Sequence, residues 1–188
     1  MRLISVNRDG SDGVVFPVTS ERFDIGRKTG TLLFEDDGYL SDRHVRLERR
    51  QGKFHLVDLD SLNGVFFKIF EDRPIEDGQI FRIGQELLRF DGIDPPQPLP
   101  DQTEIMGSPN PGYWGRVVVV AGDGVDGNAY LLKGDSVMVG RENGDIQFPE
   151  DGYVSGSHLR ISHQNGSYVL TDLNSSNGTF VRIDEEES

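Results

Sequence analysis

The chain has 188 residues, no cysteine and a formal net charge of −13. This length suits one medium or two small domains, and the lack of cysteine excludes disulfides, thiolate nucleophiles and zinc ribbons. The acidic balance argues against a protein that binds nucleic acid or an anionic membrane, since either needs a basic face. The longest apolar run, Val117 to Ala121, is far shorter than the ~18 residues that span a bilayer. The N-terminus lacks the apolar stretch of a secretory signal, so we expect a soluble, cytoplasmic protein.

Strands are the predicted elements along the whole chain. Alternating segments at 53–58 and 167–172 predict half-buried strands. Gln51-Gly52 and Asn165-Gly166 precede them and predict hairpin turns, because glycine adopts positive φ at little cost. Residues 80–90 predict a further, closing hairpin. No window has the apolar spacing of a capped helix, so the fold class is all-β, a sandwich or a barrel.

One constellation of residues occurs twice, in the same order and with every member 114 positions from its counterpart. A register kept over so many positions indicates that one structural unit has been duplicated. Its residue types, an arginine, a hydroxyl, an imidazole and an amide, suit the binding of an anion. The members are Gly26-Arg27, Ser41, His44, Asp58 and Asn63-Gly64 in the first copy, and Gly140-Arg141, Ser155, His158, Asp172 and Asn177-Gly178 in the second.

The repeat predicts a domain at 1–93, a Pro-rich linker at 94–112 and a second domain at 113–188. The copies are unequal, because residues 75–93 have no counterpart after Ser188. A sandwich without its last two strands would expose its core and an unpaired edge. We therefore expect either that the chain is a fragment of a longer protein or that another molecule completes the second sheet.

The repeated residues suit a phosphorylated side chain. A phosphate ester carries about −1.5 to −2 charge at neutral pH and has three strong acceptor oxygens. Arginine supplies a charged planar fork, serine a hydroxyl donor, and asparagine a group that can donate to and accept from a peptide backbone. Arg27, Ser41 and Asn63 each fall between predicted strands, so we expect them to gather at one end of a sandwich.

These motifs, taken together, resemble the forkhead-associated (FHA) domain. Each short motif is common alone, but three in order, twice, form a specific signature that covers nearly everything except the linker. The resemblance implies two FHA-type antiparallel β-sandwiches in tandem, the second lacking its last strands. The segments that carry it are 25–27, 40–47 and 58–65 in the first copy, and 139–146, 154–161 and 172–179 in the second.

The resemblance also implies roles for single residues. The expected phosphopeptide-binding residues are Arg27, Ser41, Arg43, Asn63, Arg141, Ser155, Ser176 and Asn177, of which Arg43 adds positive charge beside Ser41. The expected structural residues, which shape or brace the loops, are Gly26, His44, Gly64, Gly140, His158 and Gly178. No catalytic residue, metal ion or cofactor is expected.

The copies depart from the family pattern in different ways. Copy one has Leu62 where copy two has the hydroxyl of Ser176, and Asp42 follows its binding serine, where a carboxylate pointing inward would repel phosphate. Copy one is richer in positive charge around the motif, with Lys28, Arg43 and Arg46 where copy two has Glu142, Ser157 and Arg160. We expect both copies to bind.

The implied function is that of an adaptor that binds Thr-phosphorylated partners, either a Ser/Thr kinase or its substrates. A phospho-independent interaction scaffold with one or both sites vestigial is the alternative. A hydrolase is disfavoured, because Ser41 and Ser155 lack the strained elbow that a serine nucleophile needs. Self-association is a further hypothesis, either through a phosphorylated Thr103 in the linker or through the incomplete second sandwich.

Overall fold

The computed structural model describes residues 1–7, 11–94, 96–184 and 186–187. In these residues every regular element is a β-strand except a short 3-10 turn at Gly122–Gly124, which confirms the predicted all-β class. The strands are β1 (Arg2–Val6), β2 (Asp12–Pro17), β3 (Arg22–Gly26), β4 (Leu32–Leu33), β5 (Val45–Arg50), β6 (Lys53–Asp58), β7 (Phe66–Lys68), β8 (Arg73–Ile75), β9 (Ile80–Ile83), β10 (Glu86–Gly92), β11 (Tyr113–Val120), β12 (Asp126–Lys133), β13 (Ser136–Gly140), β14 (Ile146–Gln147), β15 (Leu159–Gln164), β16 (Ser167–Asp172), β17 (Thr179–Arg182) and β18 (Glu186–Glu187).

Both predicted hairpin turns are confirmed. Gln51 and Gly52 connect β5 to β6 with φ of 50° and 84°, and Asn165 and Gly166 connect β15 to β16 with φ of 52° and 77°. Two successive positive φ angles are the mark of the type I′ turn, whose twist matches that of the strands it joins.

The chain forms two compact units, which we call unit 1 and unit 2. Unit 1 consists of Met1–Val65 and Ile183–Ser188. Its larger sheet has the order β18-β6-β5-β3-β4, and β1 and β2 form a separate two-stranded sheet. Val18, Phe23 and Leu47 are its buried apolar cluster. Around them lie side chains that are only partly buried: Leu3, Ile25, Leu32, Phe54 and Leu56.

Unit 2 consists of Phe66–Arg182 and contains most of the buried apolar side chains. It has a six-stranded sheet of order β12-β11-β10-β9-β17-β7 and a five-stranded sheet of order β14-β13-β15-β16-β8. Strands of both sheets contribute to one continuous apolar core. The hairpin of β9 and β10 supplies four of its fully buried side chains, Phe81, Ile83, Leu88 and Phe90.

The compact units do not have the bounds of the sequence copies. Residues 66–93, which the repeat assigns to the first copy, lie in unit 2, and Ile183–Ser188 of the second copy lie in unit 1. The repeat records how the sequence was duplicated, whereas the units record which segments pack together. The hairpin of 80–90 forms as predicted, and it occupies in unit 2 the strand positions for which the second copy has no sequence.

The strand pairing follows the repeat step. β8 adds to β16 with Arg73 opposite Leu170, and β18 adds to β6 with Glu187 opposite Leu56. The second pair lies one step of 114 from the first, since Leu56 corresponds to Leu170 and Arg73 to Glu187. Each copy therefore supplies the equivalent strand to the unit built mainly from the other copy.

None of the described residues of the segment at 94–112 lies in a strand. These residues are all exposed, and Leu99 donates its backbone N–H to the carbonyl oxygen of Thr103 at 2.9 Å. Pro95 lies outside the described residues. Within the part of the chain that the structure describes, no helix has the length and apolar character needed to cross a bilayer.

Candidate functional site

The two arginines of the repeat follow strands that end against a neighbouring loop. Arg27 follows β3 and donates its backbone N–H to the carbonyl oxygen of Ser41, and Arg141 follows β13 and donates to that of Ser155, both at 2.9 Å. A Cβ atom at Gly26 would collide with the carbonyl oxygen of Asp42. We call the loop that carries Arg27 or Arg141 the arginine loop, and the loop that carries Ser41 or Ser155 the serine loop. Only glycine lets the arginine loop approach the serine loop this closely.

Gly140 makes the same close approach in unit 2, where a Cβ atom would collide with the carbonyl oxygen of Gly156. Gly64 and Gly178 are needed for a different reason, since they have φ of 79° and 87° after the asparagine. These values lie in the left-handed region that favours glycine. All four glycines therefore meet a backbone requirement at the positions where the sequence predicts a structural role.

A histidine braces the serine loop of each unit from behind. In unit 1 Ser41 donates its backbone N–H to Nδ1 of His44 at 3.1 Å, and Nε2 lies 3.2 Å from the carbonyl oxygen of Gly64. The equivalent distances at His158 are 3.0 Å and 3.2 Å. Because Nδ1 accepts, the proton lies on Nε2 and is donated to the glycine carbonyl. The imidazole therefore connects the serine loop to the loop that carries Asn63 or Asn177, which we call the asparagine loop.

The asparagine loop is tied to the serine loop by two further hydrogen bonds in each unit. In unit 1 Leu62 donates its backbone N–H to Oγ of Ser41 at 2.9 Å, and Asn63 donates Nδ2–H to the carbonyl oxygen of Tyr39 at 2.7 Å. Ser41 Oγ accepts this bond and keeps its own proton for another acceptor.

Unit 2 repeats both contacts. Ser176 donates its backbone N–H to Ser155 Oγ at 3.0 Å, and Asn177 donates Nδ2–H to the carbonyl oxygen of Tyr153 at 2.7 Å. Arginine, serine and asparagine loops thus meet at one place in each unit, held by the same bonds. We call these two places the loop clusters.

The guanidinium group of each cluster is already paired with a carboxylate of a neighbouring loop residue. Arg27 Nη2 lies 2.9 Å from Asp42 Oδ1, and Lys28 Nζ lies 3.2 Å from Asp42 Oδ2. Hydrogen bonds from Arg27 and then Lys28 lower the pKa of the Asp42 carboxyl. In unit 2 Arg141 Nη2 lies 3.0 Å from Glu142 Oε1. These pairs face water, where a single carboxylate competes poorly with a doubly charged phosphate.

Two predicted binding residues, Arg43 and Ser176, make their described contacts with other residues than Arg27 and Arg141. Arg43 extends toward Asp24, with its Nη2 atom 3.7 Å from Oδ2 of the carboxylate. Arg46 lies closer to the same carboxylate, with Nε 2.7 Å from Oδ1. Hydrogen bonding from Arg46 lowers the pKa of Asp24. Ser176 is exposed beside Asn177, and its backbone N–H bonds to Ser155. A role for either side chain in binding stays a prediction.

Sequence reasoning missed the tyrosine that precedes each binding serine by two residues. Tyr39 is 82% exposed and Tyr153 is 57% exposed, and both anchor the asparagine side chain through their carbonyl oxygens. Tyr39 also lines an open surface depression formed by residues 33–39. The step of 114 between the two tyrosines was the available signal.

The asparagine loop is braced more strongly in unit 2. Asp172 accepts hydrogen bonds from the hydroxyls of Ser175 and Thr179, both at 2.7 Å. Burial raises the pKa of its carboxyl, but these bonds outweigh burial and leave it lowered. In unit 1 Val65 replaces the threonine, and the buried hydroxyl of Ser61 has no hydrogen-bond partner among the described residues. We expect unit 2 to present the more rigid loop cluster.

Acidification is expected to destabilise unit 2 through His158. Burial lowers the pKa of its imidazole below the ordinary 6.5, and this outweighs the opposing effects of the Gly178 carbonyl and of Asp172 and Asp151. The unfolded chain then binds the proton more readily, so the contribution is complete above about pH 6.5 and declines as the pH falls below it. Thermal unfolding followed from pH 7.5 to 5.0 measures this decline, and His158→Asn should flatten it. An equal slope in the variant would contradict this assignment.

Comparison with known proteins agrees with this geometry. The FHA domain model matches residues 23–84 and 137–187, which together are more than half of the chain. Residues of the chain are 36% identical over 72 positions to the E3 ubiquitin-protein ligase CHFR of Danio rerio, covering 37% of this chain and 11% of the ligase.

Two bacterial relatives are oxoglutarate dehydrogenase inhibitors, from Corynebacterium efficiens and Corynebacterium glutamicum. Each is 29% identical over 85 residues, covering 45% of this chain and 57% of the inhibitor. The chain thus spans a tenth to just over half of the length of these relatives. No solved structure matches it. With a family match in each copy of the repeat and the matching loops assembled in both units, the chain belongs to the FHA domain family of protein-interaction domains.

Proposed function

We propose that the chain is a non-enzymatic, cytoplasmic adaptor that binds phosphothreonine in protein partners through the loop cluster of each unit. The observation that carries this proposal is the convergence of Arg27, Ser41 and Asn63 in unit 1 through the same hydrogen bonds that join Arg141, Ser155 and Asn177 in unit 2. Two independent loop sets with equivalent bonds are what a duplicated binding function requires.

The cluster has the donors that a phosphate ester needs. The guanidinium group offers parallel N–H bonds to two phosphate oxygens, and the serine hydroxyl offers a third donor. Each asparagine donates one amide proton to a tyrosine carbonyl, and its carboxamide oxygen has no partner among the described residues. That oxygen and the second amide proton suit the main chain of an extended peptide.

The same geometry supports binding rather than acyl transfer. A serine nucleophile needs its hydroxyl to donate to the imidazole. Here the backbone N–H of Ser41, not its hydroxyl, bonds to His44, and the other ring nitrogen is engaged by Gly64. His158 is engaged in the same way in unit 2.

The partners we propose are a Ser/Thr kinase or its substrates. Similarity to oxoglutarate dehydrogenase inhibitors supports a protein as the partner, because those proteins are named for inhibiting an enzyme. Two sites on one chain would bind doubly phosphorylated or oligomeric partners with avidity. Thr103, exposed in the segment at 94–112, remains a hypothetical ligand in cis or in trans once phosphorylated.

Exchanging one residue between the clusters tests whether phosphate lies beside Arg27. Asp42→Gly should strengthen binding at unit 1 up to about fivefold, because it removes a negative charge that competes weakly for the guanidinium group. Gly156→Asp should weaken binding at unit 2 by a similar factor, and a Cβ atom there meets nothing closer than Asn143 Nδ2 at 3.4 Å. Titration of each variant with a phosphothreonine peptide, the arginine of the other unit being replaced by alanine, measures both. Unchanged affinities would refute the proposed site.

The existing ion pairs favour one alternative, a phospho-independent scaffold with vestigial sites. Arg27 and Arg141 are both already paired, with Asp42 and Glu142 respectively. In that case Asp42→Gly would leave the affinity for the peptide unchanged, and a phosphopeptide would bind no better than its unphosphorylated form.

A further inference from the structure

Unit 1 lacks a neighbour on one edge that unit 2 has. By the repeat step, β1 and β2 of unit 1 correspond to β11 and β12 of unit 2. In unit 2, β11 lies between β12 and β10, with Arg116 opposite Asp91 and Val117 opposite Phe90. In unit 1, β1 pairs with β2 alone among the described residues. Within the described part of the chain, the edge of β1 that corresponds to the β10 side of β11 therefore has no partner strand.

Core side chains of unit 1 are more exposed than their counterparts in unit 2, where the β9–β10 hairpin covers the core. Val117, Val139 and Leu170 of unit 2 have zero exposure, whereas their counterparts in unit 1 are only partly buried. Those counterparts are Leu3, Ile25 and Leu56. The next residue along the strand differs more in its exposed fraction, since Val118 is 1% exposed and its counterpart Ile4 is 42% exposed. Apolar residues occupy these equivalent positions in both units, whereas the β9–β10 hairpin lies in unit 2.

The chain has one hairpin for these two equivalent positions. Residues 80–92 follow Val65 of unit 1 within the same sequence copy, yet they pack in unit 2. A segment so close in sequence to unit 1 is always present at high local concentration around it.

The strand ladders allow the exchange without a change of register. β7 is the repeat counterpart of β17, so it could pair with β9 in the register that β17 now uses, with Phe67 in the place of Val181 opposite Phe81. β8 could likewise pair with β6 in the register that it now uses with β16, because Leu56 and Leu170 are counterparts. These two ladders thus have equivalents in the arrangement in which each copy keeps its own strands, whereas the β7–β17 ladder is lost, because its two strands are counterparts of each other.

We propose that unit 1 carries a second docking place for the chain's own β9–β10 hairpin, along the free edge of β1 and over its half-open core. The hairpin closes unit 2 in the structure and closes unit 1 in the alternative arrangement, whose first domain has the bounds 1–93 that the repeat predicts. One hairpin cannot close both units, so completion of one leaves the other open. This device is independent of phosphopeptide binding.

Cysteine trapping distinguishes the two positions, because the chain has no cysteine of its own. Asp91→Cys with Arg116→Cys reports the hairpin in unit 2, where these residues are directly opposite. Asp91→Cys with Arg2→Cys reports it in unit 1, because Arg2 is the counterpart of Arg116. Opposed residues of antiparallel strands have Cα atoms about 4.5–5.5 Å apart, within the range of a disulfide.

Dilute intact chain is oxidised mildly and analysed by mass and by non-reducing electrophoresis. We expect an intrachain disulfide in both pairs, at least several-fold faster than for Asp91→Cys with Glu35→Cys, a control for chance collision at an exposed residue of unit 1. Closing the 2–91 disulfide should also expose Trp114, which is 7% exposed beside Phe90, and shift its fluorescence to the red. The proposal is overturned if the 2–91 pair forms no faster than the control, if it forms only covalent dimers, or if Trp114 fluorescence is unchanged.

Discussion

Replacing both Arg27 and Arg141 by alanine is expected to abolish most of the affinity for a phosphothreonine peptide while leaving the fold intact. Each guanidinium group is about one third exposed at the edge of its loop cluster, so its removal opens no cavity. Hydrogen bonds to a charged group contribute about 1.5–3 kcal/mol each, which corresponds to about 10- to 150-fold in affinity per site. Isothermal titration of the intact chain measures this loss.

The control for this loss removes the same charge elsewhere. Arg49 lies near the end of β5 that leads into the hairpin turn, and Lys133 lies at the end of β12 that precedes the start of β13; both are exposed. Arg49→Ala with Lys133→Ala should therefore retain nearly all of the affinity. Single substitutions of Arg27 and Arg141 then divide the binding between the units. Equal affinity of the Arg27→Ala, Arg141→Ala chain and the unaltered chain would remove the basis of the proposed site.

Phe90→Ala is expected to lower the free energy of unfolding of unit 2 by about 3–5 kcal/mol, the usual cost of removing a phenylalanine from a well-packed core. The Phe90 ring is fully buried and lies 4.6 Å from that of Tyr168 and 6.3 Å from that of Trp114. Trp114 is the only tryptophan in the chain, so its fluorescence during urea unfolding reports on this core alone.

Phe70 provides the matched control, because the same residue type is 86% exposed in the same unit. Phe70→Ala should change the free energy of unfolding by no more than about 0.5 kcal/mol. If Phe90→Ala shifted the Trp114 transition as little as Phe70→Ala does, Phe90 would not pack in unit 2. That result would also contradict the strand arrangement described above.

Much of the local structure could be predicted because it depends on neighbouring residues. Gln51-Gly52 and Asn165-Gly166 adopt the positive φ angles that their residue types favour. The alternation in β6 and β16 is that of strands with one buried face. The repeat step also identified which residues would share a role, although it could not say how far apart their side chains lie.

The placement of residues 66–92 could not be predicted for a physical reason. The apolar side chains of β9 and β10 alternate in a way that fits the core of either copy, since the copies derive from one unit. Sequence proximity favours the first copy, whereas the better-filled core of the second, with Phe148 and Trp114 against it, favours unit 2. Patterning alone does not resolve a competition between two cores of the same design.

The electrostatic detail of the loop clusters was also beyond sequence reasoning. Asp42 was recognised as a residue that would repel phosphate if it pointed inward. The structure shows that it bonds to Arg27 and Lys28 instead, which depends on side-chain directions that spacing does not specify. The direction of the Arg43 side chain, toward Asp24, depends on the same kind of detail, and its role in binding stays a prediction.

Binding of phosphorylated and unphosphorylated peptides by the unaltered chain is the most direct test of the proposed function. A degenerate peptide library centred on phosphothreonine is compared with the same library centred on threonine, under identical salt and pH. Two or three charge-assisted hydrogen bonds from each cluster predict that the phosphorylated library binds at least about 100-fold more tightly. Equal retention of the two libraries would contradict the assignment of Arg27, Ser41, Arg141 and Ser155 to a phosphate.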